Sequence, residues 1–96
     1  MIQPVDLPEY RCHKVVRAGR IIKLDITASD SAYLAHLDLG DGRKGELLVP
    51  AKVFVRGFPR VGDFIVVYEG GKDREYVSWS PALEFQQGYT LLTEVG

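Results

Sequence analysis

Between residues 22 and 39, apolar residues recur at every second position. Ile22, Leu24 and Ile26 alternate with Lys23, Asp25 and Thr27, and Tyr33, Ala35, Leu37 and Leu39 alternate with Leu34, His36 and Asp38. Successive side chains of a strand point to opposite faces, so this period of two predicts strands with one buried face. The β-branched pairs Val15-Val16 and Ile21-Ile22, with Gly19 between them, speak against a helix and extend the first strand back to residue 12. Five bases at 11, 14, 17, 20 and 23 would form a stripe on a helix. On a strand, a spacing of three alternates between faces and disperses them. At 96 residues the chain buries only about 60 to 65% of its unfolded surface, which leaves room for a single core.

Turn chemistry divides what remains. Ala28-Ser29-Asp30-Ser31 and Gly40-Asp41-Gly42 read as turns, the second closing a hairpin with a short strand over residues 44–49. Pro50 suits the first position of a short helix over 50–56, and Gly57 the residue just past its end. Phe64 to Glu69 and Glu75 to Trp79 read as strands around a Gly70–Arg74 tip. Pairing Glu69 with Glu75 groups Ile65, Val67, Val77 and Trp79 on one face, with Phe64, Val66, Tyr68, Tyr76 and Ser78 on the other. Ser80 is a suitable N-cap and Pro81 a suitable first residue for a second short helix over 81–87, stopped by Gly88. Residues 89–94 return as a last strand. The first ten residues, with Pro4 and Pro8 and no periodicity, read as an N-terminal arm. Residues 11–96 then form a single β-rich domain: a small antiparallel bent sheet or barrel with two short helices.

Hydrophobic residues make up 46% and charged residues 26%, which fits a globular domain and argues against disorder. No apolar run is long enough to span a membrane as a helix, and the opening residues lack the basic and apolar regions of a signal peptide. A single cysteine suits a reducing compartment. The expected setting is therefore the cytoplasm, with no membrane partner. The net charge of −1 argues against a general nucleic-acid binder, yet the charges are segregated. Residues 43–60 hold five bases against Glu46, whereas 61–96 hold six acids against Lys72 and Arg74. Alternation of this kind either makes a bipolar docking surface or reflects strands of opposite sign paired across a sheet.

Tyr10-Arg11-Cys12-His13-Lys14-Val15-Val16-Arg17-Ala18, Val61-Gly62-Asp63-Phe64-Ile65-Val66-Val67-Tyr68, and Ser78-Trp79-Ser80-Pro81 through Phe85 to Gly88-Tyr89-Thr90 form a recognisable series. Together they resemble small proteins common in phages and prophages of Gram-negative bacteria. Those proteins carry an N-terminal Y-R-x-H-K-x-V-x-A strand, a G-[DG]-[YF]-x-V-x-Y strand and a closing [FYW]-S-P-x-x-x-F-x-x-G-Y-T. The middle motif also looks like the PGDYG proteins, with Val61 in place of the proline. The likeness covers both ends of the chain and little of 24–58, and Lys72-Asp73-Arg74 lengthens a hairpin tip that is usually shorter. It implies a phage origin and assigns no catalytic or binding residue.

The residues offer little chemistry. Cys12, His13 and His36 are too few to form a zinc site, and adjacent Cys12 and His13 point to opposite faces of a strand. Asp38-Leu39-Gly40-Asp41-Gly42 lacks the later ligands of a calcium loop. Ser78 and Ser80 have no nucleophile-elbow context, and the glycines form no phosphate loop. The expectation is no enzyme, no metal and no cofactor. Binding is the remaining role, and the candidate residues are Tyr68, Tyr76, Arg56 and Arg60. The hairpin has two apolar faces. Either the short helices cover the second one, or Tyr68 and Tyr76 anchor a protein partner or a second copy of the chain. A host or phage protein is the expected partner, with inhibition of a host function suited to such an origin. The alternative is a small β-barrel that binds single-stranded nucleic acid. Bases and aromatics lining one groove would favour that reading, and a flat tyrosine patch would favour protein.

Overall fold

The computed structural model describes residues 1–11, 15–27, 31–69, 71, 73–88 and 90–91. Among these residues the strands are β1 (Glu9–Arg11), β2 (Val15–Ile26), β3 (Ala32–Gly40), β4 (Arg43–Pro50), β5 (Phe64–Tyr68), β6 (Tyr76–Ser80) and β7 (Thr90–Leu91), with one α-helix, α1 (Ala82–Gly88). Single 3-10 turns lie at Pro4–Asp6 and Ala51–Phe54. The fold is mainly antiparallel sheet, as the alternation requires, and the sheet is not closed into a barrel.

β2 organises everything else. Along one edge it pairs first with β1 (Arg11↔Val15 to Glu9↔Arg17) and then with β3 (Arg20↔Asp38 to Ile26↔Tyr33). Along the other it pairs with β5 (Val16↔Tyr68 to Arg20↔Phe64). β4 extends the β3 side, and β6 extends the β5 side. A bulge between Ile21 and Lys23 interrupts the β2–β3 ladder, and its effect is one of parity. Before it, Val16 and Ala18 face one core while Ile21 faces the other; after it, even-numbered Leu24 packs with Ile21. Ile22, expected on the buried face, sits in the bulge and is exposed at 40%; Ile26 shares Leu24's parity but is the last residue of β2 and is exposed at 78%.

Two apolar clusters lie on the two faces of the β5–β6 hairpin. The larger gathers Leu7, Ile21, Ala35, Leu37, Leu39, Leu47, Val49, Phe54, Ile65 and Val67. The smaller gathers Val16, Ala18, Phe64, Val66 and Phe85, with Tyr10 and Tyr68 packed against it. Phe85 of α1 stacks on Phe64 at 4.2 Å between ring centroids, and Tyr10 meets both rings edge-on. The short helical segments thus cover both faces, Phe54 on one side and Phe85 on the other.

Three local expectations differ from the structure. The 50–56 segment is a 3-10 turn over Ala51–Phe54, with Pro50 still in β4; β-branched Val53 and Val55 resist a longer α-helix. Helix α1 begins one residue later than expected, with its first backbone bond from Phe85 N to Pro81 O. Ser80 lies in β6 opposite Phe64 and does not cap it. The first ten residues also lie against the sheet and do not stand away as an arm. Leu7 is fully buried, Ile2 N donates to Glu46 O at 2.8 Å, and Ala18 N donates to Pro8 O at 2.8 Å. Apolar Ile2 and Leu7 are the physical reason, because Leu7 belongs to the larger core and Ile2 packs against it.

Candidate functional site

The β5–β6 hairpin has the register that its apolar segregation requires, with Tyr68 opposite Tyr76 and Ile65 opposite Trp79. That places β6 on the outside of the sheet: among the described residues, β6 pairs with β5 alone. Beside its outer edge runs a groove of about 770 Å³. One wall is β6 and the residue before it, Glu75 to Trp79. The other is the end of β4 and the 3-10 turn, with Pro50, Lys52, Val53, Val55 and Arg56.

The walls have distinct chemistry. Val77, Trp79 and Val53 are half-buried and continue the larger core up to the groove. Val55 and Tyr76 are exposed at 79% and 59%. The Tyr76 ring stacks on Tyr68 at 5.5 Å between centroids, with 30° between planes. Tyr68 is half-buried against the smaller core, so the pair grades from interior to surface. Lys52 and Arg56 are exposed and make no ion pair among the described residues. Glu75, on the opposite wall, accepts a hydrogen bond from Gly71 N at 2.7 Å and so is turned toward the hairpin tip.

Of the four residues expected at a site, Arg56 and Tyr76 line this groove, and Tyr68 adjoins it through its stack on Tyr76. Arg60 does not line it. Arg60 belongs to the 57–63 loop, where its backbone N donates to Asp63 Oδ2 at 2.8 Å. Lys52, Val53 and Pro50 were not among the expected site residues, since no local pattern signals that 50–56 faces 75–79 across the fold. Lys52, four residues before Arg56, is the one hint that the sequence contains.

A second polar cluster lies on β2, β3 and β4. His36 Nε2 is 2.7 Å from Asp25 Oδ2, its Nδ1 is 3.1 Å from Glu46 Oε2, and Lys23 Nζ is 3.3 Å from Asp25 Oδ1. The hydrogen bond from His36 holds the Asp25 carboxyl below the ordinary aspartate range. Of the charge blocks of the sequence, the β3–β4 register sets Asp38 opposite Lys44, a cross-strand position of opposite sign, whereas Lys23 and Asp25 pair within β2.

Among the described residues, no group of three or more His, Cys, Asp or Glu side chains is arranged to hold a metal. Cys12 and His13 lie outside the described residues. Ser80 Oγ donates to Pro81 O at 3.4 Å, and Ser78 lines the groove. Among the described residues, no helix is long and apolar enough to cross a membrane. No protein-family model, curated protein or solved structure matches the chain.

Proposed function

We propose that the chain is a non-catalytic binding protein that occupies a host or phage protein through the groove beside β6. One observation carries this reading. The outer edge of a strand, a 59%-exposed tyrosine and two cations without ion pairs among the described residues converge on one concave surface. Exposed tyrosine supplies contact area at low entropic cost, and a concave apolar floor excludes water from it. The resemblance to small phage proteins suits a role in host takeover or counter-defence, and a second copy of the chain is a partner of the same class.

Single-stranded nucleic acid is the second reading, and the arrangement expected of it is present: the bases Lys52 and Arg56 line one groove with the aromatics Tyr76 and Trp79, in place of a flat tyrosine patch. Against it, Tyr76 is the only strongly exposed aromatic of the groove and is already stacked on Tyr68, whereas such binders offer several platforms along a basic track. A phosphate backbone leaving the groove at the Glu75 end would also meet exposed Glu69 and Asp73.

The test is affinity purification from host lysate with the wild-type chain and a Tyr76→Ser, Arg56→Ser variant side by side, with and without nuclease. The expected result is a protein retained by the wild type, lost with the variant and indifferent to nuclease. Elution of nucleic acid, or loss of the retained material on nuclease treatment, overturns the protein reading. Size exclusion over a range of concentrations identifies self-association.

A further inference from the structure

We infer that the groove accepts its partner as an extended, acidic peptide segment added as a strand to the outer edge of β6. This rests on the protein-binding reading above and specifies the chemistry of the partner.

The shape of the site argues for an extended occupant. β6 has five residues, so a strand laid beside it spans about 17 Å at roughly 3.4 Å per residue. In an antiparallel pair, alternate residues of each strand exchange their backbone bonds with the neighbour, and the others aim their N–H and C=O groups outward. Pairing with β5 therefore leaves β6 with backbone donors and acceptors directed along the groove. An added strand satisfies them in register along the whole of β6, and a nucleotide, which lacks the alternating N–H and C=O repeat, does not. The facing wall stands off from β6 by the width of the groove and carries side chains of a 3-10 turn, so no strand from that wall competes for the edge among the described residues.

Charge selects among extended segments. The groove holds two cations, Lys52 and Arg56, against the single acid Glu75, a local balance of +1 in a chain whose net charge is −1. Glu75 is turned away to Gly71 N, while both cations lack ion pairs among the described residues. All three apolar residues of the facing side, Pro50, Val53 and Val55, lie beside those cations. A strand alternates its side chains, so one face of the occupant meets both features. The complementary sequence has apolar residues at alternate positions with a carboxylate among them at the Lys52–Arg56 end. Such a segment carries discrete charges and leaves the neighbourhood of Glu69, Asp73 and Glu75 free, which a continuous polyphosphate does not.

The experiment uses the full chain and four labelled probes in a fluorescence-anisotropy titration. These are a seven-residue peptide with valine at its first, third and fifth positions, glutamate at the seventh and threonine between them, so that valines and carboxylate share one face; the same peptide with lysine for glutamate; the glutamate peptide N-methylated at alternate residues; and an oligothymidine. The expected order is the glutamate peptide first. Backbone methylation and the Arg56→Glu substitution should each weaken it by about tenfold or more, the equivalent of 1.4 kcal/mol. Perturbed backbone amide signals at residues 76–79 would accompany binding. Equal binding of the methylated peptide overturns strand addition. Equal binding of the lysine peptide overturns the charge selection and leaves the protein-binding groove standing. Tighter binding of oligothymidine overturns both the inference and the reading beneath it. Failure of every probe, with an unchanged circular-dichroism spectrum, overturns the inference alone, since a partner captured through Tyr76 from lysate would still support the groove.

Discussion

Asp63 reaches across nineteen residues of chain to cap helix α1, its Oδ1 accepting from Ala82 N at 2.9 Å while Oδ2 accepts from Arg60 N at 2.8 Å. One carboxylate thereby fixes the turn before β5 and the start of the only α-helix among the described residues. An N-terminal amide of a helix has no partner within the helix, and a carboxylate also suits the positive end of its dipole. Phe85 follows three residues later and seals the smaller core. Removal of the cap in Asp63→Ala should cost about 1 to 2 kcal/mol. Ser80→Ala should change stability by less than about 0.5 kcal/mol, as an ordinary surface substitution does. Urea melts of the two variants decide the matter, and the reverse order of costs would return the cap to Ser80.

Leu7→Ala tests the placement of the first ten residues. A detached arm would tolerate the change without cost. A side chain with no exposure, packed in the larger core beside Arg17 Nη1, which donates to Leu7 O at 2.9 Å, should lose about 2 to 5 kcal/mol on truncation. A thermal midpoint equal to that of the wild type would detach the segment again.

Much of the sheet was legible because it depends on local alternation. The β3–β4 hairpin and the β5–β6 register follow from apolar segregation and from glycine at turn positions; Asp41 and Gly42 both take positive φ, as a tight hairpin turn asks. What could not be read depends on distant contacts. The bulge at Ile21–Lys23 leaves no mark in composition, yet it moves Ile22 to the surface and lets even-numbered Leu24 join the core of odd-numbered Ile21. The Asp63 cap and the burial of Leu7 join segments far apart in the chain. The groove divides along the same line: Tyr76 was visible as an aromatic on a hairpin, whereas the wall of Lys52, Val53 and Val55 exists only once β4 has folded back.

Acid should act partly through Asp25. Its carboxyl lies below the ordinary range, chiefly through the His36 hydrogen bond. A depressed folded value contributes stability above the unfolded value, near pH 4, and that contribution disappears as pH falls through the folded value. The advantage of the wild type over Asp25→Asn should therefore shrink between about pH 5 and pH 2. It should also diminish in high salt, because the pair is half-exposed. Paired urea titrations at several pH values provide the measurement, and a difference independent of pH across that window rules the linkage out.

Tyr68 and Tyr76 stack on each other but should answer differently to truncation. Tyr68 packs against Val16, Val66 and their neighbours, so Tyr68→Ser should cost about 1 to 3 kcal/mol, within the usual range for a partly buried position. Tyr76 is 59% exposed, and Tyr76→Ser should lose only the stacking contribution, about 0.5 to 1 kcal/mol. In binding the order reverses. Tyr76 stands in the groove, and an aromatic at the centre of an interface can contribute 2 kcal/mol or more, as an order of magnitude. Tyr76→Ser should therefore remain folded and lose the partner, while Tyr68→Ser should lower the thermal midpoint and bind normally once folded at lower temperature. A Tyr76→Ser variant that melts far below the wild type would make that ring part of the core and remove the aromatic anchor from the groove.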